Sequence, residues 1–563
     1  MFIKILKTIT KYSDRNKINY INFLLVLSTL LQYLVYLILP IIAYKITSLT
    51  MNKSKTPLFE NKNLEIMNNF LDINLYSLLV YTILAVIFAN ISSILFLKES
   101  AFFSFKLASN IQIQMFKNYL SKNYSYFLNN TKSQSINNII TDMFRLPAGI
   151  FIPFFQLISA SILSILLILT LLFVNFKVSL IVLLLISVIY FLVFKNYKKR
   201  LYQTSIDISL SHKKIYEIVG YSLGLNKDVK LYSLENFVNN KFSEMSKTLI
   251  STRTFANIIS SAPKYIVEGI IISISILIIL LLLKYKMFSQ ETILFFMFFG
   301  ILSIKIIPAL QSLYVCISAI QSNRSLIDYL PSIDKKLSKN FNNSYIFKKS
   351  IELKGVSFSY DKERKIFNNM NFKIKKGEKI SIIGSNGSGK STFINLISGL
   401  LKPSKGQILC DGKVISQKNL QKIFSILDAN PLFMNANIYE NISFKDKIKN
   451  DDKKLINRLL KLVDLFPKTS KKYYSNNLEA KFSQGEKQKI ALARFLFFKR
   501  EFLIIDEGTT NLSSNLEFKI LNRIKKLNPN ITIIFITHRF KNLNFFDKIY
   551  NLNNGRLISK KLD

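Results

Sequence analysis

The amino-acid sequence predicts a multidomain membrane protein, with an all-α membrane domain of six helices followed by an α/β domain. Three observations support this fold class. The 563-residue chain is 49% hydrophobic, and its long apolar runs all lie before residue 319. From Lys349 onwards the apolar segments are short and have the patterns of β-strands. Helix-like segments alternate with these strands, which favours a largely parallel sheet.

The membrane helices are predicted from length and hydropathy. A helix that spans the hydrocarbon core of a bilayer needs about 20 mostly apolar residues. Several runs are too long and too apolar for the alternative interpretation, in which a soluble protein buries six helices. Six runs meet the requirement, and they occupy residues 19–47, 73–97, 147–173, 178–194, 264–283 and 291–318.

The distribution of basic residues predicts the orientation of these helices. The two longest intervals between them, 98–146 and 195–263, are rich in Lys and Arg. Because cytoplasmic segments carry an excess of these residues, we expect both intervals, the N-terminus and the C-terminal half to lie in the cytoplasm. The two intervals are expected to extend the helices into water, and the protein to reside in the cytoplasmic membrane.

Charge and cysteine content argue against other classes. A net charge of +43 would suggest a nucleic-acid partner for a soluble protein, but much of the basic charge here brackets apolar runs, so no such partner is predicted. Two distant cysteines, Cys316 and Cys410, imply no disulfide framework. The basic, amphipathic start of the chain lacks the pattern of a removable signal peptide.

The loop between the first two spans, residues 48–72, has mixed charge. Its apolar residues recur at helical spacing between Leu64 and Asp72, which fits a short surface helix at the outer membrane face. An ordinary loop packed on the spans is an equally good interpretation.

A polar stretch without sustained periodicity, residues 323–348, is predicted to link the membrane domain (1–322) to the second domain (349–563). The segment SIELKGVSFSY that follows alternates like a half-buried strand. KISIIG, FLIIDE and TIIFITH are continuous apolar runs, which is typical of central strands covered on both faces. A terminal hairpin is predicted around Asn554-Gly555.

The stretch IIGSNGSGKST has the spacing G-x-x-x-x-G-K-[ST] of a phosphate-binding P-loop, between a predicted strand and a predicted helix. Its glycines allow backbone N–H groups to converge on phosphate oxygens, and the helix N-terminus adds a favourable dipole. Lys390 would reach the outer phosphates of ATP, and the Ser391 hydroxyl would bind Mg²⁺. The predicted ATP-binding residues of the loop are Gly384, Ser385, Asn386, Gly387, Ser388, Gly389, Lys390, Ser391 and Thr392.

Two acids end the strand in FLIIDEG. Asp506 is suited to hold Mg²⁺ through water, and Glu507 to polarise an attacking water. Acids at strand ends are common, so the pair gains its significance from the P-loop upstream. His538 follows the next strand and is a candidate contact for the terminal phosphate, although a lone histidine is more often structural.

The segment KFSQGEKQKIALARF resembles the signature of ABC transporter ATPases, with FSQGE standing where the family has L-S-G-G-Q. A plain helix start with a serine cap is the alternative for this segment alone. Together with the other motifs and the predicted spans, the resemblance covers the whole chain and implies an ABC exporter half-transporter.

This resemblance implies a partner, namely a second half-transporter subunit, with a homodimer favoured. Tyr360 matches the family's aromatic residue that stacks on adenine. The signature residues that would bind the ATP of the partner chain are Ser483, Gln484, Gly485 and Glu486.

Two positions depart from the family pattern. The family usually has a glutamine where the alignment falls on Asp428 or Ala429, and an aspartate where Ser513 stands. In the family these positions help to coordinate magnesium or to couple the two ATP sites, so the resemblance leaves the rate and tightness of coupling open. Hydrolysis remains the prediction because the P-loop lysine, both acids and the histidine are retained.

Lys305 is the only charged residue in the apolar run 292–317. A charge in hydrocarbon is costly unless it has a partner or reaches water, which favours a place in a central cavity. Lys98 and Lys264, at the inner ends of the second and fifth spans, are candidates for the same cavity. The alternatives are snorkelling to the interface for both, and pairing with Glu268 for Lys264.

Three functions remain open from the sequence. A flippase or exporter of a lipid-linked anionic glycan is favoured, because lysines suit an anionic head group and stretches such as SAPKYIVEGI resemble that group of exporters. An exporter of peptides or amphipathic drugs is the second. A channel or regulatory ATPase that transports nothing is the third, and the retained Glu507 and His538 argue against it.

Overall fold

The chain divides into two compact units. The first comprises Met1–Lys122 and Asn130–Lys335, and the second comprises Asn123–Asn129 and Lys336–Asp563. The outer-loop segment at Leu64 and the candidate His538 both lie outside the described residues. The computed structural model describes residues 1–50, 74–174, 176–284, 290–328, 330, 347–360, 365–465, 482–537, 543–553 and 555–560.

Helices dominate the N-terminal half, and two short π-helical segments, Asn137–Thr141 and Pro147–Phe151, interrupt them. In chain order the α-helices are α1 (Phe2–Tyr12), α2 (Arg15–Thr50), α3 (Leu75–Leu120), α4 (Tyr124–Asn129), α5 (Lys132–Ile136), α6 (Asp142–Leu146), α7 (Ile152–Val174), α8 (Phe176–Gly224), α9 (Asn226–Leu231), α10 (Glu235–Lys284), α11 (Gln290–Ser322) and α12 (Arg324–Asp328).

Many large apolar side chains on these helices are exposed, among them Ile83, Phe88 and Ile94 of α3. Exposed apolar surface of this kind fits contact with lipid. Five segments in the described part of the chain are long and apolar enough to cross a membrane, and they are Arg15–Ala43, Leu75–Leu120, Lys132–Phe173, Glu235–Leu281 and Gly300–Ser322.

The predicted fourth span, 178–194, is helical and lies inside α8, but it is not among these five segments. A total of six spans therefore stays a prediction. The long basic intervals do continue the helices, as expected: α3 runs on to Leu120, and α8 and α10 fill most of 195–263.

The N-terminal helix α1 packs its apolar stripe into a core of the helical unit. Ile5 and Ile9, one turn apart, are buried with Leu107 and Ile111 of α3, as expected for an amphipathic helix. Helix α12 joins the same core, although its residues fall within the predicted linker. The polar composition of 323–348 obscured this turn, which is held by burial of Leu326 and Ile327.

The C-terminal half carries two sheets. The strands are β1 (Ser350–Ser359), β2 (Lys365–Lys375), β3 (Lys379–Ile383), β4 (Lys405–Cys410), β5 (Lys413–Val414), β6 (Phe424–Asp428), β7 (Phe502–Asp506), β8 (Thr532–Ile536), β9 (Lys548–Asn553) and β10 (Arg556–Lys560). The helices are α13 (Lys390–Ile397), α14 (Gln417–Gln421), α15 (Ile438–Ser443), α16 (Asn450–Leu462), α17 (Gln484–Phe497) and α18 (Ser514–Leu527), with a 3-10 turn at Leu543–Phe545.

The larger sheet has the order β10-β9-β3-β8-β7-β6, and its pairs from β9 to β6 are parallel. The three apolar runs predicted as central strands are β3, β7 and β8, and they are neighbours in this sheet. β10 and β9 form the predicted terminal hairpin. In a parallel sheet the carboxyl ends of the strands share one edge, where ligands bind, and the P-loop and the two acids both lie at that edge.

Candidate nucleotide-binding site

The P-loop connects β3 to α13, and its shape depends on glycine. A Cβ atom on Gly384 would lie 2.6 Å from the Leu552 carbonyl oxygen, so no larger residue fits. Gly387 and Gly389 have φ of +78° and +102°, which L-residues with a side chain rarely adopt. The loop therefore turns back tightly onto the N-terminus of α13.

Two side chains of the loop are suited to binding an anionic ligand. Lys390 is buried, and its Nζ donates hydrogen bonds to the carbonyl oxygens of Gly384 (2.8 Å) and Ser385 (2.9 Å). The hydroxyl of Ser388 is buried and makes no hydrogen bond within the described residues. A buried hydroxyl without a partner is costly, and a phosphate oxygen would satisfy it.

The P-loop, the strand-end acids and Tyr360 line one cavity of about 590 Å³. The structure thus brings together most of the predicted ATP-binding residues, and it adds three that the motifs did not single out as ligands, Ile366, Asp428 and Ala429. The lining residues are Tyr360, Ile366, Asn386, Gly387, Gly389, Lys390, Ser391, Thr392, Asp428, Ala429, Asp506 and Glu507.

Three carboxylates give the cavity its charge. Asp428 and Asp506 are Cα partners at the ends of the parallel strands β6 and β7, and Glu507 forms an isolated bridge with Asp428. Burial, reinforced by the charges of Asp428 and Glu507, raises the pKa of Asp506 to about 6, and Lys390 acts in the opposite direction. A bound cation would remove this repulsion.

Glu507 has a backbone φ of +53°, in the left-handed region that a glutamate rarely adopts. Its backbone N–H donates to the Ile536 carbonyl of β8 (3.1 Å), which holds the unusual conformation. The next residue, Gly508, leaves no room for a side chain, since a Cβ there would lie 2.5 Å from Cγ of Leu427. Strained, closely packed backbone of this kind clusters at functional sites.

Tyr360 follows β1 at the mouth of the cavity, and about half of its surface is exposed. Its hydroxyl lies 3.3 Å from Thr392 Oγ1, and its ring meets Phe358 edge to face at 5.0 Å. One aromatic face beside the P-loop is thus fixed in orientation. This geometry is compatible with the predicted stacking on adenine, which stays a prediction.

The signature segment begins helix α17. Ser483 is the N-cap, and it exchanges hydrogen bonds with Glu486: the Ser483 N–H donates to the carboxylate (2.8 Å), and the Glu486 N–H donates to the hydroxyl (3.3 Å). This capping box is the serine-capped helix start that Sequence analysis gave as the alternative for this segment. It stabilises the start of α17. It also leaves Ser483 and Gln484 exposed.

Sequence reasoning missed Gln488, which is fully buried in α17. Its Oε1 accepts from the Asn511 N–H (3.0 Å), and its Nε2 donates to the Ala429 carbonyl (3.1 Å) and to Thr510 Oγ1 (3.4 Å). The signal was present, because Gln488 shares one helical stripe with the buried Ala491, Leu492 and Phe495. A buried amide on an apolar stripe requires partners.

The structure locates the residues that depart from the family pattern. Asp428 ends β6 inside the cavity, and Ala429 follows it with its carbonyl bound to Gln488. Ser513 is exposed at the N-cap of α18 and its side chain makes no capping hydrogen bond.

In the helical unit the three predicted cavity lysines have different surroundings. Lys98 is exposed. Lys264 is paired with Glu268 at 3.7 Å, which is the alternative that the spacing suggested. Lys305 is partly buried, and its Nζ lies 5.1 Å from the ring centroid of Tyr36. Their common cavity therefore stays a prediction.

A P-loop, two strand-end acids and a capped signature helix, on a chain that also carries long apolar helices, define an ATPase built into a membrane protein. The ABC transporter family profile matches residues 367–510. The energy-coupling factor transporter ATP-binding protein EcfA1 of Streptococcus mutans serotype c is 34% identical over 221 residues, which are 38% of this chain and 78% of that protein.

Two further similarities extend over most of the chain. The heterocyst differentiation ATP-binding protein HepA of Nostoc sp. is 25% identical over 469 residues, which are 81% of this chain and 76% of that protein. The solved structure of a bacterial Atm1-family ABC exporter with ATP bound matches with a TM-score of 0.74 and 19% identity, over 97% of this chain and 95% of that one.

The chain belongs to the ABC transporter family, and its fold is that of an exporter-type half-transporter. It is a multi-pass membrane protein whose C-terminal domain is an ABC-type ATPase, and it uses ATP with Mg²⁺ to drive transport.

Proposed function

We propose that this protein is one half of a dimeric exporter or flippase that moves an anionic amphiphile, such as a lipid-linked oligosaccharide, across the cytoplasmic membrane. The partner is a second copy of the same chain, with membrane lipid around it. Residues 1–322 form the membrane domain, 323–348 the linker and 349–563 the ATPase domain, and both termini lie in the cytoplasm.

Lys305 carries the substrate part of this proposal. It lies on α11 and contacts the face of Tyr36 on α2. No carboxylate among the described residues forms a salt bridge with it, in contrast to Lys264. An ammonium group held by an aromatic face keeps its N–H donors for an anionic ligand, and a phosphate or pyrophosphate head group suits such a point charge.

The ATP half of the proposal assigns roles to the cavity residues. Tyr360 stacks on adenine, the backbone of 384–392 cradles the phosphates, and Lys390 turns from its loop carbonyls to the outer phosphates. Glu507 orients and polarises the attacking water, and His538 contacts the terminal phosphate. These assignments follow the motif spacing, and those of Tyr360, Lys390 and Glu507 are also supported by the cavity that these three residues share.

The two predicted metal ligands, Ser391 and Asp506, offer oxygen donors, which suits Mg²⁺. The Ser391 hydroxyl would hold the ion directly and Asp506 would hold it through water. Bound magnesium would neutralise charge on the transferred phosphoryl group. Among the described residues no group of three or more His, Cys, Asp or Glu is arranged to bind a metal.

The signature residues act on the other subunit in this proposal. Ser483, Gln484, Gly485 and Glu486 lie at the N-terminus of the 14-residue helix α17, where a helix favours anions. Facing the partner's P-loop, they would close its ATP site, so ATP binding would bring the two ATPase domains together and hydrolysis would release them.

The test is ATP hydrolysis by the purified protein in proteoliposomes, with and without a lipid-pyrophosphate oligosaccharide. We expect the lipid glycan to stimulate the wild type. Lys305→Ala should lose the stimulation and keep the basal rate, because Lys305 is remote in sequence from every ATP-site motif. Lys284→Ala, which changes an exposed lysine in the last turn of α10, is the matched control and should respond like the wild type.

The contradicting result is equally specific. If the glycan leaves the rate unchanged and Lys305→Ala matches the wild type, the proposal of an anionic lipid substrate is wrong. A library of peptides and amphipathic drugs in the same assay would then identify the alternative substrate class.

A further inference from the structure

Asp428 occupies an unusual place in the ATP site. It is the last residue of β6, and it pairs in parallel register with Asp506, the predicted magnesium residue at the end of β7. Adjacent strands lie about 4.8 Å apart, and paired residues of parallel strands direct their side chains to the same face. The two carboxylates therefore lie side by side on the face of the sheet edge that borders the P-loop.

The residues that line the cavity support the assignment of this face to the ATP site. Asp428 lines it together with Lys390, Ser391 and Asp506. Ala429, also in the lining, is one of the two positions where the family resemblance expects a glutamine, and a methyl group offers no oxygen to a cation. Neither of the two positions thus offers the neutral side-chain oxygen of a glutamine, and one of them, Asp428, offers a carboxylate.

The backbone at Asp428 is held firmly, so the position from which its exposed side chain extends is fixed. The β6 pairing with β7 continues to Asp428, and the bridge to Glu507, the residue after β7, adds a second backbone contact. Just beyond, the buried Gln488 fixes the Ala429 carbonyl at 3.1 Å. A preorganised ligand of this kind binds a cation better than a mobile one.

We propose that Asp428 is a second carboxylate, beside Asp506, of the magnesium–nucleotide site, and that it holds the ion through water in place of the missing glutamine. This inference rests on the magnesium role proposed above for Ser391 and Asp506. A magnesium ion usually keeps several waters and binds to one or two carboxylates plus substrate phosphates.

The proposal predicts a dependence on metal that charge repulsion alone would not give. If Asp428 holds the ion, its removal weakens the binding of Mg²⁺ to the protein–nucleotide complex. If Asp428 only repels the phosphates, its removal strengthens nucleotide binding equally with and without the ion. The two cases are therefore distinguished by whether removal of Asp428 changes the dependence of nucleotide binding on Mg²⁺.

The experiment uses the full-length protein in lipid nanodiscs and a fluorescent ATP analogue. Binding is measured in EDTA and over a series of free Mg²⁺ concentrations, and Mn²⁺ binding is followed by electron paramagnetic resonance. For Asp428→Ala we expect the half-saturating Mg²⁺ concentration to rise about tenfold, as for other residues that orient a metal's ligands. Affinity in EDTA should stay the same or improve, because one negative charge has gone.

A rescue variant provides a second test of the proposal. Asp428→Ala combined with Ala429→Gln restores a side-chain oxygen near the ion and should recover part of the lost magnesium affinity. Asp446→Ala removes an exposed acid outside the cavity and should leave the magnesium dependence unchanged. The proposal is overturned if Asp428→Ala does not change the half-saturating Mg²⁺ concentration, or if affinity rises equally with and without Mg²⁺. Neither readout involves transported substrate, so failure of the flippase proposal would leave this test intact.

Discussion

The ATP site and the lysines of the helical unit hold charge in different ways. In the ATP site, Lys390 is buried and bound to two loop carbonyls, and Asp506 lies on a central strand. In the helical unit, Lys264 reaches its partner only at 3.7 Å, and Lys305 rests on an aromatic ring. A short acidic side chain on a central strand tolerates little displacement, whereas a long flexible lysine side chain adapts. We therefore expect all-or-none effects in the first region and graded effects in the second.

The largest effect is expected from Glu507→Gln. The substitution keeps size and removes the carboxylate that would polarise water, so hydrolysis should fall by about 10²- to 10⁴-fold. ATP binding should persist, because the P-loop is unchanged. Steady-state ATPase activity and equilibrium binding of a fluorescent ATP analogue measure the two quantities separately.

The matched control is Glu352→Gln on β1, whose carboxylate pairs with Lys373 at 3.7 Å, outside the ATP cavity. A partly exposed pair contributes little, so activity should stay within about twofold of the wild type. If Glu507→Gln hydrolyses ATP at the wild-type rate, the catalytic base lies elsewhere and the all-or-none side of the comparison fails.

The helical unit also contains a rigid charge cluster, around Asp142, which tests whether all charges in this unit give graded effects. Buried Asp142 accepts from Arg145 Nη1 (3.3 Å), Ser209 Oγ (3.0 Å) and Asn137 Nδ2 (3.1 Å). Asp142→Ala leaves the buried guanidinium without its countercharge and should destabilise the fold by about 3–5 kcal/mol. The measurement is the temperature at which the detergent-solubilised protein loses monodispersity on heating.

Asp142→Asn separates charge from hydrogen bonding in the same cluster. It keeps a carbonyl oxygen for Arg145 or Ser209 and should lose less stability than Asp142→Ala. Equal unfolding temperatures for wild type and Asp142→Ala would contradict the assignment of a rigid buried network, and graded behaviour would then hold throughout the helical unit.

A smaller effect is expected from Gln488→Leu. The variant leaves the Asn511 N–H and the Ala429 carbonyl without their partner, at a cost of about 1–3 kcal/mol. It also frees the loops that follow Asp428 and Glu507. We expect kcat to fall more than the affinity for ATP, because orientation and not phosphate contact is lost.

Gln488→Glu tests that interpretation. Its carboxylate still accepts from Asn511 but no longer donates to Ala429, so kcat should lie between those of Gln488→Leu and the wild type. If both variants change stability and leave kcat untouched, Gln488 is only a structural residue.

Parts of both the fold and the ATP site could be predicted from the sequence. The P-loop, the strand-end acids and the central strands β3, β7 and β8 were predictable because each depends on residues close together in the chain. The same holds for the helical continuation of the basic intervals into α3, α8 and α10. Local pattern determines local structure in all these cases.

Features that depend on distant neighbours were not predictable in this way. The position of Asp428 beside Asp506 follows from the pairing of β6 with β7, which lie far apart in sequence. The three contacts of Gln488 come from two other loops. Helix α12 was hidden because polar neighbours mask the burial of Leu326 and Ile327 against α3 and α7 residues.

The smallest effect is expected from Lys264→Met, and it tests the graded side of the comparison. Lys264 and Glu268 are about one-third exposed and one helical turn apart, so their pair should contribute less than about 1 kcal/mol to stability. Methionine keeps the length of the side chain and removes its charge. In the proteoliposome assay, Lys264→Met should retain stimulation by the lipid glycan, while Lys305→Met should lose it. Loss of stimulation in both variants would mean that Glu268 releases Lys264 to the ligand and that the two lysines act on one anionic group, which would make the substrate site larger than Lys305 alone indicates.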